Sequence, residues 1–291
     1  MRSVSIFSRV KRLIGGHQQQ DGPRLSVIGF DSAWTNHPKK PGAITVIRIT
    51  GNMCSLQHEP ELCSFAQAEA IIRKEQEASR KCIVALDQPT IVPNLTGSRP
   101  VDKVAGSLIS WAGGGVQPAS RAKKGMFDDA APIWRFKSAL GASDDPEEAR
   151  VAEGGLFLVE VFPALALVLL EPSFHQRLAA PKYNPSYRSK FRPEDWRKVA
   201  HCAAAMAERY GISEAADWCR RSAAMALPRK ADQDRLDAML CALIGLHWLL
   251  EPRERSLMIG DLQAGYMIAP VLDGIPERLV HAAHTRDVKL S

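Results

Sequence analysis

Five acidic residues, Asp31, Asp87, Glu160, Asp234 and Asp237, stand where this chain can do chemistry. Asp31 and Asp87 each follow a short apolar run, at 24–30 and 82–86, and Glu160 lies near the end of a third at 156–161. If those runs are parallel neighbouring strands, the three acids emerge on one sheet edge, where open α/β sheets place ligands. Asp234 and Asp237 are three apart at the start of an apolar helix, so they share a face. A helix start also favours negative charge. Gathered together, such carboxylates repel one another unless cations sit among them. Oxygen-rich sites of this kind hold Mg²⁺ or Mn²⁺, and two ions about 4 Å apart can activate a water and stabilise a leaving oxygen in phosphodiester hydrolysis.

Each acid also has a plainer reading. Asp31-Ser32 and Asp87-Gln88-Pro89 suit turns, Glu160 suits a strand-end pair for an arginine, and Asp232 and Asp234 suit helix caps. Asp237 leaves the least room for one, because an unpartnered charge a turn into an apolar helix is costly.

The elements that must position these acids follow from pattern. Residues 24–30 and 43–50 are β-rich, and Gly51-Asn52 between apolar stretches signals a hairpin into a third strand near 53–58. Residues 65–80 have helical spacing of Phe65, Ala68, Ile71 and Ile72. The unbroken apolar run CIVAL at 82–86 suits the buried centre of a parallel sheet. Residues 88–150 read as an irregular insertion rich in Pro, Gly, Arg and Lys around Gly113-Gly114-Gly115. From Arg192 the chain reads as helical, with a final apolar helix over 232–250, and no internal repeat is present. This order predicts a mixed α/β layer structure.

Composition sets wider bounds. With 291 residues, 45% hydrophobic and 24% charged, the chain can bury a full core, and collagen, coiled coil and bulk disorder are excluded. A net charge of +6 permits a polyanionic partner without requiring one. The six cysteines form no C-x-x-C pair and share no zinc-type spacing with the eight histidines, so they read as reduced, mostly buried and cytoplasmic. The apolar runs near 156–170 and 238–250 are too short or interrupted to span a membrane. Residues 1–23 read as a basic flexible tail, and 24–291 as a single domain with an insertion over about 90–150 and additional helices over about 192–228.

The acids also recur in a characteristic wording. Gly29-Phe30-Asp31-Ser32-Ala33-Trp34 is followed by Ala85-Leu86-Asp87-Gln88-Pro89, Val159-Glu160-Val161-Phe162-Pro163 and Gln233-Asp234-Arg235-Leu236-Asp237-Ala238. This series resembles the domain of unknown function 429 family, predicted nucleases of the ribonuclease H-like superfamily alongside the Holliday-junction resolvases, over about residues 25–270. The helical D-x-x-D-A is its most specific piece. The resemblance implies an α/β fold with a ribonuclease H-like mixed five-stranded sheet of order 3-2-1-4-5, flanking helices and a long insertion between strands 4 and 5. It further implies Asp31, Asp87, Asp234 and Asp237 as ligands of two Mg²⁺ or Mn²⁺ ions, with water as nucleophile. Glu160, part of the smaller family's own pattern, would orient that water or bind the second ion. The fourth-strand acid departs from the resolvases, which usually carry Glu where this chain has the shorter Asp87.

The basic residues suggest a partner. Lys182, Arg188, Lys190, Arg192, Arg197 and Lys198 alternate with Tyr183, Tyr187, Phe191 and Trp196, the form of a segment that neutralises phosphates and stacks on bases. A solvated loop leading into a helix with Trp196 in the core is the plainer alternative. Arg121, Lys123 and Lys124 near the triple glycine form a second candidate nucleic-acid contact, flexible enough to close over a backbone, or else an ordinary surface loop. The leading expectation is a metal-dependent nuclease. A nucleic-acid-binding module without activity is the alternative, and a phosphotransferase of the actin and sugar-kinase type is weaker. Such enzymes need two copies of the fold and a Gly-rich turn where this chain has Ser32-Ala33-Trp34.

Overall fold

Strand β1 (Leu25–Asp31) is buried along its whole length because it is central, and its alternate residues serve two different cores. The computed structural model describes residues 24–272 and 274–291, so the expected basic tail at 1–23 lies outside the described residues. β1 pairs antiparallel with β2 (Gly42–Thr50), which pairs antiparallel with β3 (Met53–Cys63) through a turn in which Gly51 takes φ +58°. On its other side β1 runs parallel to β4 (Lys81–Leu86), which runs parallel to β5 (Gly155–Glu160). The five-stranded sheet therefore has the order β3-β2-β1-β4-β5, as expected.

Between β3 and β4 lies α1 (Phe65–Ala78), started by a capping box in which Ser64 accepts from the Gln67 backbone and the Gln67 side chain accepts from the Ser64 backbone. The insertion between β4 and β5 is less irregular than its Pro and Gly content suggests. It holds α2 (Pro100–Trp111), α3 (Pro132–Leu140) and α4 (Pro146–Val151), each with proline at its start. There proline removes only a donor that the first helical turn leaves unused. After β5 come α5 (Pro163–Leu170), α6 (Pro193–Arg209), α7 (Ser213–Ala223) and α8 (Lys230–Leu250). A two-stranded hairpin that the sequence pattern did not announce, β6 (Ser256–Asp261) and β7 (Gly265–Pro270), leads to α9 (Glu277–His284).

The sheet separates the two cores. Ile28, Phe30, Val84 and Leu86 face Phe65, Ile72 and Phe136 of α1 and α3. Val27, Ile83 and Ala85 face the larger cluster that includes Leu236, Leu240 and Leu243 of α8. α8 lies directly against β1 because Gly29 lacks a side chain: an added Cβ would stand 2.0 Å from the Ala238 carbonyl oxygen. Gly29→Ala is accordingly expected to cost about 3 kcal/mol or more through overpacking. Thermal melting checks this, and an unchanged midpoint would mean that α8 does not depend on this close approach.

The cysteines Cys63, Cys82, Cys219 and Cys241 are buried and, like Cys54 and Cys202, unpaired. Among the described residues no helix is long and apolar enough to cross a membrane.

Candidate functional site

Parallel pairing of β1, β4 and β5 brings their C-terminal ends to one edge. Asp31 is the last residue of β1, Asp87 follows β4, and Glu160 is the last residue of β5. α8 crosses this edge with its N-terminal turns. Asp232 performs the capping there, its carboxylate accepting from the Arg229 backbone N–H at 2.9 Å, which leaves Asp234 and Asp237 to other uses.

The charges of Asp31, Asp87 and Asp237 oppose one another. Burial pushes the Asp31 carboxyl well above the usual range, and the charges of Asp237 and Asp87 add to this. Asp87 is raised likewise by burial and then by Asp237 and Glu160. Asp237, 4% exposed, is pushed by burial up to about 6, although Lys230, Tyr183 and Gln233 all favour its charged form. Its two oxygens are both engaged: the Tyr183 hydroxyl donates to Oδ1 at 2.8 Å, and the Gln233 amide donates to Oδ2. Lys230 forms an ion pair with Asp234, and the charges of Asp31, Asp234 and Asp237 raise its pKa against the opposing effect of burial.

Asp31 and Asp234 border a cleft of about 670 Å³ together with Trp34, Lys39, Lys40 and Lys230. The loops after β1 and β4 are tied to each other at its edge. Ser32 Oγ donates to Gln88 Oε1 at 2.5 Å, and the Trp34 indole N–H donates to the Asp87 carbonyl at 2.9 Å. Trp34 adopts φ +53°, a conformation that bulky residues rarely take and that survives only where surrounding contacts impose it. Its ring packs edge-on against Phe127 at 5.4 Å.

Glu160, expected among the catalytic acids, is bound to an arginine. Arg99 Nη1 donates to Glu160 Oε2 at 2.8 Å and Nη2 to Oε1 at 2.6 Å, and the Thr90 backbone N–H donates to Oε2 at 3.2 Å. Asp102 completes the group through Arg99 Nε and Nη2, and all three residues are buried. The arginine partner of the plainer reading is thus Arg99, from the insertion.

The basic residues divide. Arg188, Lys190 and Arg192 are exposed, whereas Lys182 is half-buried and donates to the Gly113 carbonyl. Trp196 is a core residue, its indole N–H donating to the Ser222 carbonyl at 2.8 Å. Tyr183, expected as a stacking group, is buried against Asp237 instead. The loop of Arg121, Lys123 and Lys124 is pinned, with the Arg121 and Ala122 N–H groups donating to the Asn94 and Leu95 carbonyls at 2.9 Å. Arg121 lies over the Trp134 ring and pairs with Asp129. Sequence reasoning missed Lys230, Gln233 and Trp34 as site residues. Gln233 and Lys230 were accessible to it, lying four residues before Asp237 and Asp234 on the same helix.

As the side chains stand, no three His, Cys, Asp or Glu groups among the described residues are arranged to hold a metal ion. Lys230 pairs with Asp234, and Tyr183 and Gln233 engage Asp237, in the protein alone.

Fold and site together define a mixed α/β protein whose acidic sheet edge, crossed by the start of a buried helix, opens into a lysine-bordered cleft. The chain belongs to the family described as Protein of unknown function (DUF429), whose sequence model matches residues 29–258. No curated protein and no solved structure matches it.

The raised carboxyls set a pH dependence. An acid whose folded pKa exceeds its unfolded value binds more protons in the native state, so its contribution to stability is complete below about pH 4 and is lost as pH rises through the folded pKa. With Asp237 at about 6 and Asp31 and Asp87 also raised, the melting temperature in EDTA is expected to fall between pH 5 and pH 8 as these groups lose protons. Melting curves at constant ionic strength check it, and a midpoint that rises over this interval contradicts the mutual opposition of these acids.

Proposed function

We propose that this protein is a metal-dependent nuclease of ribonuclease H-like fold that hydrolyses nucleic-acid phosphodiester bonds. The observation that carries the reading is the convergence of Asp31, Asp87 and Asp237 on one sheet edge, where the charge of Asp237 opposes those of both Asp31 and Asp87 at a cost that a purely structural set would not need. The strand order β3-β2-β1-β4-β5, with β2 antiparallel, supports the fold assignment. An all-oxygen donor set fits hard cations, so Asp31, Asp87, Asp234 and Asp237 would hold Mg²⁺ or Mn²⁺. When bound, two such ions supply Lewis acidity and an activated water.

The chain's own groups do the rest. Tyr183 and Gln233 fix the orientation of Asp237, and the ties through Ser32 and Trp34 hold the Asp31 and Asp87 loops together. Lys39 and Lys40 at the cleft, with exposed Arg188, Lys190 and Arg192 nearby in sequence to Tyr183, offer phosphate contacts. A nucleic-acid-binding module without activity is the second reading, favoured by the Lys230 ammonium already sitting among the acids.

A cleavage screen over single- and double-stranded DNA, RNA, hybrids and branched junctions, with Mg²⁺ or Mn²⁺ and with Asp31→Asn as control, separates the two. Metal-dependent cleavage lost in Asp31→Asn is expected. Nucleic-acid binding with no cleavage of any of these polymers would leave the binding module.

A further inference from the structure

The chain beyond Tyr183 divides two hollows. Ser186 borders the cleft of Asp31 and Asp234, whereas Tyr183, Asn184 and Tyr187 border a second pocket of about 500 Å³. Tyr183 and Gln233 form part of the wall of this second pocket, and both are bonded to Asp237. The two hollows therefore share the start of α8, with Lys230, Ala231 and Asp234 bordering the first and Gln233 the second.

We propose that the second pocket is a nucleotide-binding subsite that takes one unpaired nucleotide beside the phosphate held at the acids. The proposal rests on the nuclease reading for its place in a substrate, while its own binding chemistry is independent of cleavage.

Three features of the pocket each match one part of a nucleotide. Tyr187 is 64% exposed, an unusual state for a large aromatic side chain, and Phe191 is half-buried beside it, so aromatic faces are available to a planar base. Lys190 and Lys182 bring positive charge for a phosphate. Burial, together with the neighbouring charges of Lys190 and Arg192, lowers the Lys182 pKa, and an anion would relieve this crowding.

The third feature is a buried acceptor without a donor. Because the Gln233 amide N–H donates to the Asp237 carboxylate, its Oε1 is turned the other way. Gln233 is 7% exposed, and this oxygen has no hydrogen-bond partner. A buried acceptor left unmatched is unfavourable, and the ring N–H, exocyclic amine or sugar hydroxyl of a nucleotide supplies the missing donor.

The glycine wall is packed too closely for side chains. A Cβ at Gly114 would lie 2.8 Å from Ile109 Cγ2, and Gly113 takes φ +85° with Leu178 Cα 3.0 Å from where a Cβ would sit. Such a pocket suits a single unstacked base and not a paired duplex, so the substrate it selects has a single-stranded nucleotide next to the cleaved bond.

The test is calorimetric titration of the full chain in EDTA with 5′-AMP, 5′-UMP and inorganic phosphate. Saturable binding of both nucleotides is expected, with inorganic phosphate much weaker. Tyr187→Ala should weaken nucleotide binding about tenfold or more, and Lys190→Gln should weaken it and flatten its salt dependence. Both side chains are exposed, so the variants should melt like the parent. No binding at millimolar nucleotide, equal affinity for inorganic phosphate, or undiminished binding in Tyr187→Ala would each overturn the subsite. Nucleotide binding with a negative cleavage screen overturns the nuclease reading alone. Cleavage without nucleotide binding overturns the subsite alone.

Discussion

Asp237→Asn is expected to leave the metal-free protein as stable as the parent or more so, while divalent binding is lost and hydrolysis falls by orders of magnitude. The substitution keeps the size of the side chain and removes a buried charge that opposes Asp31 and Asp87. Its carbonyl oxygen still accepts the Tyr183 hydroxyl. Its new N–H group faces Gln233, whose unpartnered Oε1 accepts it once that amide turns over. Both hydrogen bonds thus survive, and the repulsion and burial of charge that disappear outweigh the lost attraction to Lys230, since the Asp237 pKa is raised in spite of that lysine. A charge serving as a structural anchor behaves in the opposite way, since its neutralisation costs about 1–3 kcal/mol through the loss of a charge-assisted bond. Melting in EDTA together with Mn²⁺ calorimetry makes the measurement. A drop of several degrees without metal would sink the ligand assignment.

Arg99→Ala is expected to destabilise the protein by about 3–5 kcal/mol, since it strands two buried carboxylates, Glu160 and Asp102, without their cation. The damage should reach the site, because Arg99 also donates to the Ile91 carbonyl and Glu160 holds the Thr90 N–H, just beyond Asp87. Urea unfolding reads the loss, and a change below about 1 kcal/mol would mean that the group contributes little. Glu160→Gln separates the two roles considered for that residue. As the partner of Arg99, Glu160 should lose stability on neutralisation, and the loss should not add to that of Arg99→Ala, because the two side chains share one interaction. As a catalytic acid it would lose activity with stability intact.

Much of the framework was legible along the chain. The strands around Asp31, Asp87 and Glu160 are short apolar runs whose form depends on a few consecutive residues, and each appears within a residue or two of its expected place. The same holds for α1 and for most of α8. The insertion helices α2, α3 and α4 were obscured because proline reads as a breaker, although at a helix start it is compatible with the helix. The hairpin of β6 and β7 was missed because the residues between its strands, Leu262-Gln263-Ala264, carry none of the usual two-residue hairpin signals.

What the sequence determined by itself was therefore the candidate acids and their places at strand ends and on one helix face, since strand period and helical spacing are local properties, whereas the shared edge depends on long-range strand pairing. Tertiary structure decided which partner each acid has. Glu160 and Arg99 are 61 residues apart, and Tyr183 and Asp237 are 54 apart. Any of several arginines or tyrosines has the right chemistry for such a bond, and the choice among them depends on which one the packed chain delivers to a buried carboxylate. The close approach of α8 to Gly29 carries Asp237 to β1, and Arg99 engages both oxygens of Glu160 at the same edge.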